Sequence, residues 1–343
     1  MSSNLTAADQ AWLLSEAATP LRALGRLTEA LEPMRAGLEM HVKQAAWASA
    51  ARIANNLSEL ELTLGEVDAA IRDGEAADVY ADRSGDVSTR MVMRTNQADV
   101  LHQAGRRPEA EARFVEAEAM QARLDPGHPT LYSLRGFQYC GLLLGDAERA
   151  AWQLLTVIGN DRSAPPQSAL DTCDAVAGRA RRTLAWVTPQ NWLLDIGVDH
   201  LTLARASLVQ AILRAEPPSG EHVKEALDFL RRAGSQDDLP RGLLTRALFR
   251  ATTRDFDGAR EDLDEAFEIA ERGPMRLHLA DIHLHRARLF GLMAGRPEKY
   301  PWVSPRDDLD KARKLIESCG YGRRREELED AEAAWRRIYG GGG

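Results

Sequence analysis

The chain has 343 residues and a net charge of −8, from 44 lysines and arginines against 52 aspartates and glutamates. An acidic balance argues against the basic face a nucleic-acid binder needs, and no run of about eighteen apolar residues is present to span a bilayer. The first residues, Met1 to Asp9, lack the basic-then-apolar layout of a secretory signal, so a cytoplasmic location is expected.

In chain order, apolar and small residues recur three and four apart, as at Leu57, Leu60, Leu64 and then Val67, Ala70, Ile71. That is the helical period, and β-branched alternation is absent. The expected elements are helices at 9–24 and 27–43, 47–64 and 67–83, 88–104 and 108–123, and 129–144 and 147–159. Each pair is joined by a short turn at a glycine followed five positions later by an alanine: Gly25/Ala30, Gly65/Ala70, Gly105/Ala110 and Gly145/Ala150. The step is 65−25 = 105−65 = 145−105 = 40 residues. Gly37, Ala77 and Ala117 hold a small side chain at the same step, and Met40, Tyr80 and Met120 a large one. A recurrence of this length reports small supersecondary units that stack because none can bury its apolar face alone. The glycine suits the left-handed residue that ends a first helix, and the alanine lets the second helix approach.

Beyond 160 the register fails. Asp161 to Ser168 reads as a loop, with helices expected at 168–187, 191–214 and 219–233. Repeat-like text returns at Arg254-Asp255-Phe256-Asp257-Gly258-Ala259, where an arginine takes the turn position, with a helix to about 272. The tail gives helices from Pro274 to about 289, 307–319 and 321–339 around a loop at 295–305, the last helix reading as a cap. The organisation expected is four regular hairpins over 8–160, irregular hairpins and the cap over 161–339, and a glycine tail or linker at 340–343.

The stretches Leu24-Gly25-Arg26-Leu27-Thr28-Glu29-Ala30-Leu31, Leu64-Gly65-Glu66-Val67-Asp68-Ala69-Ala70-Ile71, Ala104-Gly105-Arg106-Arg107-Pro108-Glu109-Ala110-Glu111 and Leu144-Gly145-Asp146-Ala147-Glu148-Arg149-Ala150-Ala151 resemble the turn into the second helix of the tetratricopeptide repeat family. The family's usual period is roughly 34 residues, so each helix here is extended. The resemblance implies an all-α, right-handed superhelical solenoid of antiparallel hairpins. The wider assembly, including Arg276-Leu277-His278-Leu279-Ala280-Asp281 and Ala312-Arg313-Lys314-Leu315-Ile316, is similar to the C-terminal repeat regions of bacterial STAND-type signalling NTPases. That second likeness implies a sensor region serving a fused or separate NTPase or effector, in defence or signalling.

No phosphate loop, nucleophile elbow or HExxH pattern occurs, so no enzyme activity and no cofactor is expected. Cys140, Cys173 and Cys319 are scattered and odd in number, as expected of buried small residues rather than a disulfide framework or zinc site. His278, Asp281 and His285 share one side of a helix and form the best metal candidate, against a packing role; no metal is expected. The run Arg323-Arg324-Arg325 reads as a solvated helix start.

In stacked hairpins of this kind the first helices line the inner wall, so recognition is expected on their polar residues. Asn56 and Asn96 lie nine positions before successive turn glycines, where the tetratricopeptide family often places an asparagine that reaches peptide backbone. The other account is that they tie neighbouring hairpins together. Neighbouring columns add Arg52, Asn55, Glu59, Asp99, Gln103, Tyr132, Arg135 and Tyr139, with the arginines as carboxylate clamps and the tyrosines as aromatic anchors. The expected partner is a protein or peptide segment, without nucleic acid or membrane. A free-standing regulator that binds a short peptide or small ligand, and a self-associating scaffold, are the alternatives.

Overall fold

The computed structural model describes residues 26–156 and 164–340 together with Leu13 and Leu21, and every regular element among them is helical. In order these are α1 (Leu27–Lys43), α2 (Trp47–Leu64), α3 (Val67–Ser84), α4 (Val87–Gln103), α5 (Arg107–Leu124), α6 (Ser133–Leu155), α7 (Gln167–Val187), α8 (Leu193–Arg214), α9 (Glu221–Ala233), α10 (Leu239–Thr252), α11 (Phe256–Arg272), α12 (Arg276–Arg286), α13 (Pro305–Cys319) and α14 (Arg325–Tyr339). None is long and apolar enough to cross a membrane. The expected helix 9–24 and its turn at Gly25 lie outside the described residues.

The chain forms two compact units. One comprises Met1–Leu131 with Arg272–Leu277 and Cys319–Arg323, the other Tyr132–Glu271, His278–Ser318 and Arg324–Gly343. In the first unit, α2/α3 and α4/α5 are antiparallel pairs, and α2 also packs on α4, so that each hairpin buries its face against the next. The turn chemistry read from sequence is what holds the pairs. Gly65 and Gly105 adopt φ of +81° and +80°. Glu66 N–H donates to Glu61 O at 2.8 Å and Gly65 N–H to Leu62 O at 3.0 Å, with Arg106 to Leu101 and Gly105 to His102 repeating the pattern at 2.9 Å. This doubly bonded cap satisfies two carbonyls that a helix end otherwise leaves open. Ala70, Ala110, Ala77 and Ala117 are fully buried where the helices cross, as their small columns require.

In the second unit the first helices α6, α8 and α10 pack in succession, with α7 and α9 as their antiparallel partners. Here the structure corrects the expected fourth hairpin. No turn forms at Gly145, because α6 runs unbroken from Ser133 to Leu155 and its partner is α7. A glycine inside a helix costs about 1 kcal/mol, but Cys140, Leu144, Ala147 and Ala151 form one buried face across it, and burial of a single leucine outweighs that cost. Arg254 does take the left-handed turn position, at φ +71°. Its guanidinium donates to Ala294 O at 3.0 Å and Gly295 O at 2.8 Å, which offsets the steric cost a side chain meets there.

The helix expected to run to 289 ends at Arg286 and continues as a π-helix over Ala287–Leu292, wholly buried. The arginine run is not solvated throughout: Arg324 is largely buried and paired with Asp281 at 2.7 Å and Glu327 at 2.5 Å.

Candidate functional site

Of the residues expected on the first helices, seven fall in the first unit. Arg52 and Asn56 are exposed on α2, and Arg52 Nη2 donates to Ser49 Oγ at 3.4 Å. Asn55, one position away, is buried and donates to Glu59 Oε1 at 3.1 Å. Asn96 on α4 donates to Asn55 Oδ1 at 2.7 Å and to Glu59 Oε1 at 2.9 Å. Asn96 therefore ties α4 to α2, as the second account of these asparagines has it. Buried Asp99 accepts from Gln103 Nε2 at 2.7 Å, and Gln103 Oε1 in turn receives Arg323 Nη1 at 3.4 Å. The structure thus joins Asn55, Glu59 and Asn96 in one bonded group and Asp99 with Gln103 in another, and leaves Arg52 and Asn56 facing solvent.

The remaining three lie in the second unit, where α6 carries Arg135 and Tyr139 four residues apart on one face, and Tyr132 precedes the helix in an extended conformation. Tyr132 meets Trp186 of α7 edge-on at 6.1 Å, and the Arg135 guanidinium lies 5.7 Å over the Tyr132 ring. Tyr139 is 8% exposed beneath Arg179 of α7, 5.0 Å from its ring. Between them, Arg135 Nε and Gln138 Oε1 are both shielded from water and without a hydrogen-bond partner among the described residues. Other arginines of this unit are matched by acids: Arg205 by Glu148 at 2.7 Å and Arg241 by Asp238 at 2.9 Å. A guanidinium donor and an amide acceptor three residues apart offer the two functions that a peptide main chain presents in return, and the donor suits a carboxylate as well.

No family model matches this chain, and no curated protein does. The site is therefore defined by its own geometry.

Residues of α7 and α8 complete the surroundings of α6, and the forty-residue register gave no signal for them. Trp186 and Arg179 are two. Asp199 of α8 is a third, 2% exposed, accepting from Thr183 Oγ1 at 2.9 Å while its second oxygen has no hydrogen-bond partner among the described residues. Burial pushes its carboxyl up to about 7, the Thr183 hydrogen bond opposes this, and nearby Asp195 adds to it. A carboxyl held protonated by folding gives a stability that is complete below the unfolded pKa of about 4 and is lost as pH rises towards the folded value. Asp199→Asn keeps the neutral form at every pH, so it is expected to flatten the decline between pH 4 and pH 8 and to stabilise the chain at pH 8 by of order 1–3 kcal/mol. Urea unfolding midpoints across that range check this, and identical slopes in the two proteins contradict it.

The three residues weighed as a metal set do not converge. His278 Nε2 donates to Asp237 O at 3.0 Å and His285 Nδ1 to Asp281 O at 2.7 Å, while the Asp281 carboxylate pairs with Arg324. Burial pushes both imidazoles down to about 4, so they are neutral donors in a packed interior. Among the described residues no group of three or more His, Cys, Asp or Glu is placed to hold an ion.

Proposed function

We propose that this chain is a non-enzymatic interaction module, a right-handed solenoid of tetratricopeptide type that binds a protein or peptide segment on the first helices of its hairpins. Its proposed setting is the cytoplasm, as the sensor region of a STAND-type regulator in bacterial defence or signalling. A fused or separate NTPase or effector supplies the response there. The succession of paired helices with left-handed glycine caps supports the repeat reading, and the resemblance of the segments quoted above supports the setting.

One observation carries the binding claim: Arg135 Nε and Gln138 Oε1 are desolvated and without a hydrogen-bond partner among the described residues, close to Tyr132 and Tyr139. A buried polar group left without its hydrogen bond costs about 1–3 kcal/mol. A ligand that displaces the side chains covering these two atoms and offers a carbonyl or carboxylate oxygen to Arg135 and an N–H to Gln138 recovers that cost, and the tyrosines give apolar area at low entropy. Panning a displayed random-peptide library against the full chain tests the proposal. Convergence on a family of sequences that compete with one another is expected. No enrichment over an unrelated helical protein counts against it.

A further inference from the structure

Tyr139 of α6 lies under Arg179 of α7, and Tyr132 meets Trp186 further along that helix. Arg182 stands three residues after Arg179 and four before Trp186, one helical turn from each, so it shares their face towards α6. Because the two helices run antiparallel, Arg182 falls opposite the stretch of α6 between Tyr132 and Tyr139, which is where Arg135 is. Two guanidinium groups from adjoining helices therefore lie along one seam, with Arg135 half-buried and Arg182 exposed.

No carboxylate pairs with either group among the described residues. That sets them apart from the other arginines of α6, α8 and α10. Besides Arg205 and Arg241, whose acids are given above, Arg149 pairs with Asp330 at 2.6 Å, Arg214 with Asp174 at 3.9 Å, and Arg246 and Arg250 with Asp262 at 2.6 Å and 3.0 Å. The acids that α8 brings to this end of the pair are engaged elsewhere: Asp195 accepts from the Ser133 hydroxyl and Asp199 from the Thr183 hydroxyl. Like charges side by side without a counter-charge repel, and a carboxylate binds a guanidinium roughly twice as strongly as a neutral carbonyl does. On a chain of net charge −8 the seam is a local reversal of sign, which directs an acidic segment to this place and away from the rest of the surface.

We infer that the segment received at the α6 face is acidic, and that Arg182 of α7 joins Arg135 in taking its aspartate or glutamate carboxylates. The inference rests on the binding reading proposed above and adds to it the charge of the partner and a residue that lies outside the forty-residue register. A guanidinium presents a planar fork of donors that matches a carboxylate, and two of them on packed helices hold their spacing better than two on a loop.

Panning a displayed random-peptide library against the full chain supplies the probe. The converged sequence is synthesised with an amidated C-terminus in two forms, as selected and with every Asp and Glu changed to Asn and Gln. Enrichment of Asp and Glu over the unselected library is expected, with about tenfold weaker binding of the neutral form, a comparison that needs no variant of the protein. Arg182→Ala is expected to weaken the selected form about fivefold, whereas Arg181→Ala, turned away by one helical step, binds it as the unmodified chain does. Circular dichroism shows whether each variant is folded. Converged peptides without acidic enrichment, equal binding of the two forms, or full affinity in folded Arg182→Ala overturns the inference and leaves the binding reading standing. Absence of any converged peptide overturns both.

Discussion

Arg94→Ala is expected to lower the free energy of opening across α3, α4 and α5 by about 3–5 kcal/mol, the cost of leaving a buried charge without its partner. Arg94 is 6% exposed and meets three acids: Asp78 at 3.1 Å and Asp82 at 3.0 Å on α3, and Glu116 at 3.0 Å on α5. One side chain of α4 therefore neutralises both flanking helices. The Asp78 contact lacks hydrogen-bond alignment, since Arg94 Nη1 and Asp78 Oδ1 both want a directed partner; it holds by charge. Burial pushes the Asp78 carboxyl up, with Arg94 and then Arg113 drawing it back. Removing Arg94 leaves Asp78 with Arg113 at 3.7 Å. Native-state hydrogen exchange over residues 67–124 reads the effect. Replacing the pair together, as Arg94→Met with Asp78→Leu, is expected to recover most of the loss, because well-packed apolar residues can stand in for a buried ion pair. A loss below about 1 kcal/mol in the single variant would place the network among surface pairs of little worth.

Gly105→Ala is expected to cost about 2–4 kcal/mol. Part of this is the left-handed backbone, φ +80°, which costs a residue with a Cβ roughly 1–2 kcal/mol. The rest comes from close packing. A Cβ at Gly105 would stand 2.8 Å from the carbonyl carbon of Gly322 and 3.0 Å from its Cα, and a backbone cannot yield as a flexible side chain can. Gly85 supplies the control, with φ +72° and open space where its Cβ would go. Gly85→Ala should therefore show the conformational cost alone, and equal thermal shifts in the two variants would mean that the 319–323 segment yields freely.

What could be read from the sequence follows from what the backbone demands of one residue. Gly65 and Gly105 were legible because few other residues take their conformation cheaply, and Ala70 and Ala110 because two helices cross there. Gly145 carries the same text yet makes no turn, since a helix end depends on whether the apolar face continues past it, and at α6 it does. Asn56 and Asn96 share a column yet differ in surroundings. The partners of Asn96 are Asn55 and Glu59 on α2, about forty residues upstream, and which neighbour a side chain meets is a property of packing, not of register. Trp186 and Asp199 were invisible because α7 and α8 lie outside the period. Arg324 read as solvated because its acids, Asp281 and Glu327, are brought to it by the fold.

The affinity of a peptide selected against the intact chain, measured for the unmodified protein and for Arg135→Ala and Gln138→Ala, tests the recognition claim most directly. The account predicts at least a tenfold loss in each variant, about 1.4 kcal/mol per factor of ten, with binding unchanged in Lys43→Ala. Full affinity in both α6 variants, with the loss appearing instead in Arg52→Ala or Asn56→Ala, would contradict it.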